Sequence, residues 1–213
     1  MKKSKHGMTS EMARDKKISG HENENIVAEQ LNGTVIKGRG KVDIITSNGV
    51  KVSCKQGKKT QWSLYCKETM VGKDWNETQK NSLINYIDFL PDSKEDYKKN
   101  KEQFKVNPYS QDLLDSFKDN PIELIKFCCG YGKIDIFHLT DVRTNEKYMI
   151  NSSDFFKKIE DSIKKVYKTN GGKIVISGGV KNTIIFELEL RKGTNHKKVL
   201  FHSLLGRIID IVK

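Results

Sequence analysis

Apolar residues return at helical intervals in some stretches of the chain and at strand intervals in others, and the two periods alternate along its length. From position 19 the text SGHENENIVAEQLNG places Ile26, Val27 and Leu31 at near-helical spacing and ends in Asn32-Gly33, a pair that stops helices. Strands are expected at 34–37, 41–46 and 50–55. Helical spacing recurs over 61–70 and again over 76–90, where Leu83, Ile84, Ile87, Phe89 and Leu90 mark an amphipathic helix. The segment 91–112 is charged, carries prolines near both ends and is nearly devoid of aliphatic residues, so it reads as a long surface loop or insertion. Asn120-Pro121-Ile122-Glu123 joins a capping residue to a helix-starting proline and an early glutamate, predicting a short helix to Gly130. Strands follow at 133–140 and 146–150. Phe155, Phe156, Ile159, Ile163, Val166 and Tyr167 predict a further amphipathic helix, and KIVISGGVKNTIIFELELRKG reads as a β-hairpin. Interleaved helices and strands of this kind predict an α/β fold, a central mixed β-sheet flanked by helices. Residues 1–17, polar and basic, form an amino-terminal arm in this reading, either mobile or a lightly docked helix, and 18–213 a single domain.

The stretch 40–59, GKVDIITSNGVKVSCKQGKK, predicts two strands around a turn, and its register decides where two charged residues point. A two-residue loop at Asn48-Gly49 mixes polar and apolar side chains on both faces. A three-residue loop, Ser47-Asn48-Gly49 with Gly49 left-handed, pairs Val42 with Cys54, Ile44 with Val52 and Thr46 with Val50, giving one almost wholly apolar face. Burial selects this second register. It sets Asp43 opposite Ser53 with Lys55 as its diagonal neighbour, so an acid and an amine converge on one face. On these residues alone, an ordinary cross-strand ion pair remains the plain alternative.

Composition narrows the partners. The 213 residues carry a net charge of +12, with a pI near 9.4, which suits nucleic acid or another anionic surface, although a lysine-rich solvated surface has the same composition. No uninterrupted apolar stretch approaches the roughly 18 residues needed to span a bilayer, and the basic start lacks the apolar segment of a secretion signal. A cytoplasmic protein without membrane contact is expected. Cys54, Cys66, Cys128 and Cys129 show no CxxC spacing and are expected to be reduced and mostly buried; the five histidines form no metal-binding pattern. GRGK at 38–41 and GYGK at 130–133 lack the rest of a phosphate-binding loop and read as turns.

Asp43, followed on the next strand by Ser53-Cys54-Lys55, resembles the active-site motif of the PD-(D/E)XK nuclease superfamily, which includes most type II restriction endonucleases. In that family an Asp on one strand and a (Glu, Asp, Gln or Ser)-x-Lys on the next hold a divalent metal and the attacking water. Here Val42 stands where proline is common, and Ser53 replaces the usual second carboxylate. Glu68 resembles the displaced acid of an SxK variant, carried on the following helix. Glu24, in GHENENIVAEQL, resembles the glutamate on the first helix of small enzymes that cut four-base sites. Either glutamate could equally be a solvent-facing helix acid.

The resemblance implies a restriction-endonuclease-like core and magnesium-dependent hydrolysis of double-stranded DNA. Asp43, with Glu24 or Glu68, would hold Mg2+, Lys55 would manage the attacking water, and Ser53 would hydrogen-bond to a water or a metal ligand. Arg39, Lys41, Lys58 and Lys59 are candidate phosphate contacts, and Gln61, Arg191, Lys192 and Asn195 candidate base contacts. Trp62, Tyr65 and Trp75 read as core anchors rather than base-stacking residues, and His138 as a satisfied sheet residue. A palindromic site would favour a homodimer. Two other classes fit the same features: a repair or structure-selective nuclease of this fold, and a non-catalytic DNA-binding protein.

Overall fold

Helix α1 (Ser10–Gln30) ends where the sequence puts its stop: Asn32 takes a left-handed φ of 48°, a conformation asparagine tolerates better than most residues. The helix begins at Ser10, earlier than the apolar spacing from position 19 indicates, so part of the expected basic arm is helical. The computed structural model describes residues 10–38, 40–65, 67–70, 75–104, 106–169, 173–190 and 197–213. After α1 come strands β1 (Gly33–Val35), β2 (Ile44–Thr46), β3 (Lys51–Gln56) and β4 (Lys59–Tyr65). Helices α2 (Lys67–Met70), α3 (Glu77–Asp88), α4 (Lys94–Lys99), α5 (Ser110–Asp119) and α6 (Pro121–Cys129) follow. The chain then forms β5 (Ile136–Asp141), β6 (Glu146–Asn151), α7 (Ser152–Ser162), β7 (Ile163–Lys168), β8 (Lys173–Gly178), β9 (Thr183–Leu190), β10 (Val199–Leu204) and α8 (Leu205–Val212).

The molecule is a mixed α/β protein with two five-stranded sheets flanked by helices. The first sheet runs β1-β2-β3-β5-β6 and is mixed, because β3 and β5 are parallel while the other pairs are antiparallel. It is the mixed sheet expected from the sequence. The second, β4-β10-β9-β8-β7, is antiparallel throughout and was not foreseen as a separate layer.

Each face of the first sheet has its own core. On one side α1 lays Val27 and Ala28 against Ile44, Val52 and Cys54, a small apolar cluster. On the other, Phe137 and Leu139 of β5 join the large core, with Trp62 of β4, Phe155 and Phe156 of α7, and Phe186 and Phe201 of β9 and β10. Trp62 sits at its centre, with ring centroids 5.8, 5.9 and 6.1 Å from those of Phe137, Phe155 and Phe186. Its indole N–H donates to Ser203 Oγ at 2.8 Å, so its polar atom is satisfied inside the core.

Several expected elements change type. Residues 61–65, assigned to a helical stretch, form β4, with Gln61 exposed and Trp62 buried in strand alternation. The helix of Phe155, Phe156 and Ile159 stops at Ser162, and Ile163, Val166 and Tyr167 belong to β7, paired with β8. In both places a strand partner satisfies the backbone and overrides the local apolar spacing, β10 from far along the chain for β4 and the next strand, β8, for β7. The 91–112 segment holds the short α4 and the start of α5. The expected helices at 76–90 and 121–130 are present, the first capped by Asn76, whose side chain accepts from Gln79 N, and the second closed by Gly130 at φ 88°. No helix among the described residues is long and apolar enough to cross a membrane.

Candidate functional site

The β2–β3 turn adopts the three-residue form. Gly49 has φ 84°, its N–H donates to Thr46 O at 2.9 Å, and Thr46 N donates to Val50 O at 3.0 Å. Ile44 pairs with Val52, the register that burial selects. Backbone pairing then stops early: Asp43 N donates to Val52 O at 2.9 Å, and the expected Val42–Cys54 pair gives way to a side-chain bond. Cys54 N donates to Asp43 Oδ2 at 2.7 Å, so the carboxylate takes over the acceptor role that a strand carbonyl would have filled.

The same oxygen gathers two further donors, Ser53 Oγ at 2.9 Å and Lys55 Nζ at 3.2 Å. Lys55 Nζ also donates to Ser53 Oγ at 2.8 Å and to Cys54 O at 2.9 Å. Ser53 therefore relays between the charges, accepting from the amine and donating to the acid. Beyond this first ring of contacts, the ammonium lies 5.9 Å from the centroid of the Trp62 ring, within cation–π range. The side chains of Lys55 and Asp43 are 17% and 20% exposed, so the pair is neither sealed nor freely solvated. Among the described residues no hydrogen bond reaches Asp43 Oδ1. Chemically, this is a fixed ammonium beside a carboxylate with one oxygen committed and one open.

Cys54, between them in sequence, faces the α1 side. Burial, reinforced by the charge of Asp43, pushes its thiol up to about 12, so it behaves as a neutral core group. Cys128 and Cys129 are likewise buried, while Cys66 lies outside the described residues.

The remaining candidates divide. Glu24 is on α1, its carboxylate 3.0 Å from His21 Nδ1, and its charge is felt at Cys54 on the α1 face. Glu68 is carried by α2, but its side chain lies outside the described residues. No group of three or more His, Cys, Asp or Glu side chains is placed to hold a metal among the described residues. Lys58 and Gln61 are exposed. Lys59, also exposed, lies 3.5 Å from Glu187 Oε2 in a second charged cluster, where His202 sits 3.3 Å from both Glu187 and Glu189. Arg39, Arg191, Lys192 and Asn195 lie outside the described residues. Trp62 is a core anchor as expected, and Trp75 stacks on Phe127 with centroids 4.3 Å apart; the Tyr65 side chain lies outside the described residues. His138 is buried in the sheet, but among the described residues its Nδ1 has no hydrogen-bond partner, so it is less fully satisfied than expected.

Lys41 departs most from expectation. Its amine turns inward, away from the role of a phosphate contact, and donates to Trp62 O at 2.7 Å, Cys128 O at 2.6 Å and Ser63 Oγ. Burial holds its pKa below the usual lysine value. Its partners on β4 and α6 carried no signal in the sequence. Compared with known proteins, the chain matches no family model, and no curated protein is significantly similar to it in sequence.

Proposed function

We propose that the protein is a magnesium-dependent endonuclease that hydrolyses phosphodiester bonds of double-stranded DNA at specific sites, in the manner of a type II restriction enzyme. The observation that carries the reading is the convergence of Ser53, Cys54 N and Lys55 on a single oxygen of Asp43, which leaves the other oxygen open beside a fixed ammonium. The net charge of +12 supports a polyanionic substrate.

The donor set suits magnesium, which binds through one or two carboxylates while keeping water and phosphate oxygens as its other ligands. Asp43 Oδ1 would be the anchor, with Glu24 or Glu68 as the second acid. A bound ion would supply water of lowered pKa and offset negative charge on the phosphate. Lys55 would orient the attacking water and set a positive charge against the charge that grows on the phosphoryl oxygens. Ser53 would hold the Lys55 amine in that position, and the Trp62 ring would limit its drift. Lys58 and Lys59 would bind backbone phosphates and Gln61 a base edge. A palindromic target would call for two copies of the chain.

Digestion of a long, sequenced, unmethylated DNA with magnesium, and in parallel with EDTA, tests the proposal. Discrete fragments only with magnesium are expected. A smear would instead indicate a nuclease without site preference, preferential cutting of branched or damaged duplexes would indicate a repair enzyme, and binding without cleavage a non-catalytic DNA-binding protein.

A further inference from the structure

Lys41 reaches three separate parts of the fold through one amine. Its acceptors Trp62 O and Ser63 Oγ belong to β4 of the second sheet, and Cys128 O to the last turn of α6, while Lys41 itself leads into β2 of the first sheet. The carbonyls of a helix's last turn lack helical partners and carry partial negative charge, so a cation is well placed there. Ser63 Oγ also donates to Cys128 O at 2.7 Å, which ties the two acceptor elements to each other.

The path of the side chain is built for it as well. Gly130, the left-handed cap of α6 at φ 88°, lies against the lysine stem, and a Cβ there would come 3.0 Å from Lys41 Cβ and Cγ. Trp62 then links this amine to the candidate site: its carbonyl accepts from Lys41, its ring lies near Lys55 Nζ, and its indole N–H is anchored on Ser203.

We propose that Lys41 is a positioning residue: by clamping the segment before β2 onto β4 and α6, it sets where the Asp43 carboxylate stands relative to Cys54, Lys55 and Trp62. The role of this placement in cleavage rests on the nuclease reading above, whereas the placement itself does not. Without the clamp the segment bearing Asp43 is held to β3 by the short β2 pairing, the bond from Asp43 N to Val52 O and the contacts of its own carboxylate, and of these the bond from Cys54 N to Asp43 Oδ2 is the first to loosen.

Amide hydrogen exchange in the Lys41→Met protein reads this directly. Exchange at Cys54 N is expected to quicken about tenfold, the equivalent of weakening one hydrogen bond, while Thr46 N, bonded to Val50 O in the turn, keeps its wild-type rate. Cleavage kinetics on the same protein are expected to show kcat falling about 100-fold with KM and DNA affinity in EDTA unchanged. Ser63→Ala, a milder change that removes one acceptor, should move both readouts in the same direction and serves if Lys41→Met does not fold. Wild-type exchange at Cys54 in a folded variant overturns the inference, and so does an equal rise in exchange at Thr46 N, which marks general loosening. Faster exchange at Cys54 in a variant of a wild-type protein that cuts no DNA upholds the clamp and overturns only the nuclease reading.

Discussion

Lys55 Nζ lies 3.2 Å from Asp43 Oδ2, yet the two residues depend on the site unequally. Asp43 is the acceptor for a buried backbone N–H and a buried serine hydroxyl as well as for the amine, whereas Lys55 is one of three donors. Asp43→Ala should therefore cost about 2–3 kcal/mol of stability, since it strands buried donors, and Lys55→Met about 1 kcal/mol or less. Both should abolish magnesium-dependent cleavage, and Lys55→Met should keep DNA binding. Urea denaturation beside gel-shift and cleavage assays separates the two effects; equal stability losses would show that the carboxylate has no structural role beyond its pairing with Lys55.

Two glycines should respond in opposite directions to the same substitution. A Cβ on Gly178 would lie 2.0 Å from Ser162 O, a carbonyl pinned by Gly179 N at 2.9 Å. Gly178→Ala is expected to destabilise by about 3 kcal/mol, because backbone must shift on one side or the other. Gly20, within α1, has nothing within 4 Å of its Cβ position among the described residues, so Gly20→Ala should stabilise by about 0.5–1 kcal/mol. Thermal or urea unfolding of the two single variants checks both signs.

Asp141 gives the fold a defined acid sensitivity. It is buried and bonded to Arg143, whose guanidinium holds its carboxyl below the usual value of 3.8. Because the folded-state pKa is depressed, the contribution is complete above the unfolded-state value and is lost as pH falls through the folded one. Asp141→Asn should lower stability by about 2 kcal/mol at neutral pH, and the gap to wild type should narrow below about pH 4. Urea midpoints measured from pH 7 to pH 3 test this; a constant gap would remove Asp141 as its source.

The Cys54 thiol, pushed up to about 12 by burial, should remain protonated and unreactive although it is the neighbour of Lys55. Alkylation of the native protein at pH 8 followed by peptide mapping should leave Cys54 unmodified, with full labelling after denaturation. Rapid native labelling would mean that the α1 face opens in solution.

The Ile44–Val52 register, Gly49 as the left-handed turn residue and the meeting of Asp43 with Lys55 were all legible in twenty residues of text, because a period of two and the need to bury one face leave a single workable pairing. The α3 and α6 boundaries were legible for a similar reason: caps and stops act within a few residues. The second sheet was not. Trp62 and Tyr65 look helical by spacing until β10 arrives from far along the chain to pair with β4, and Ile163 and Val166 look so until β8 folds back on β7. Lys41 shows the same limit at the level of one atom. The sequence by itself determined only that a lysine stands two residues before Asp43. Only the packing of β4 and α6 decided that it meets Trp62 and Cys128 rather than solvent, since hydrogen bonds and desolvation depend on neighbours that are close in space and distant along the chain.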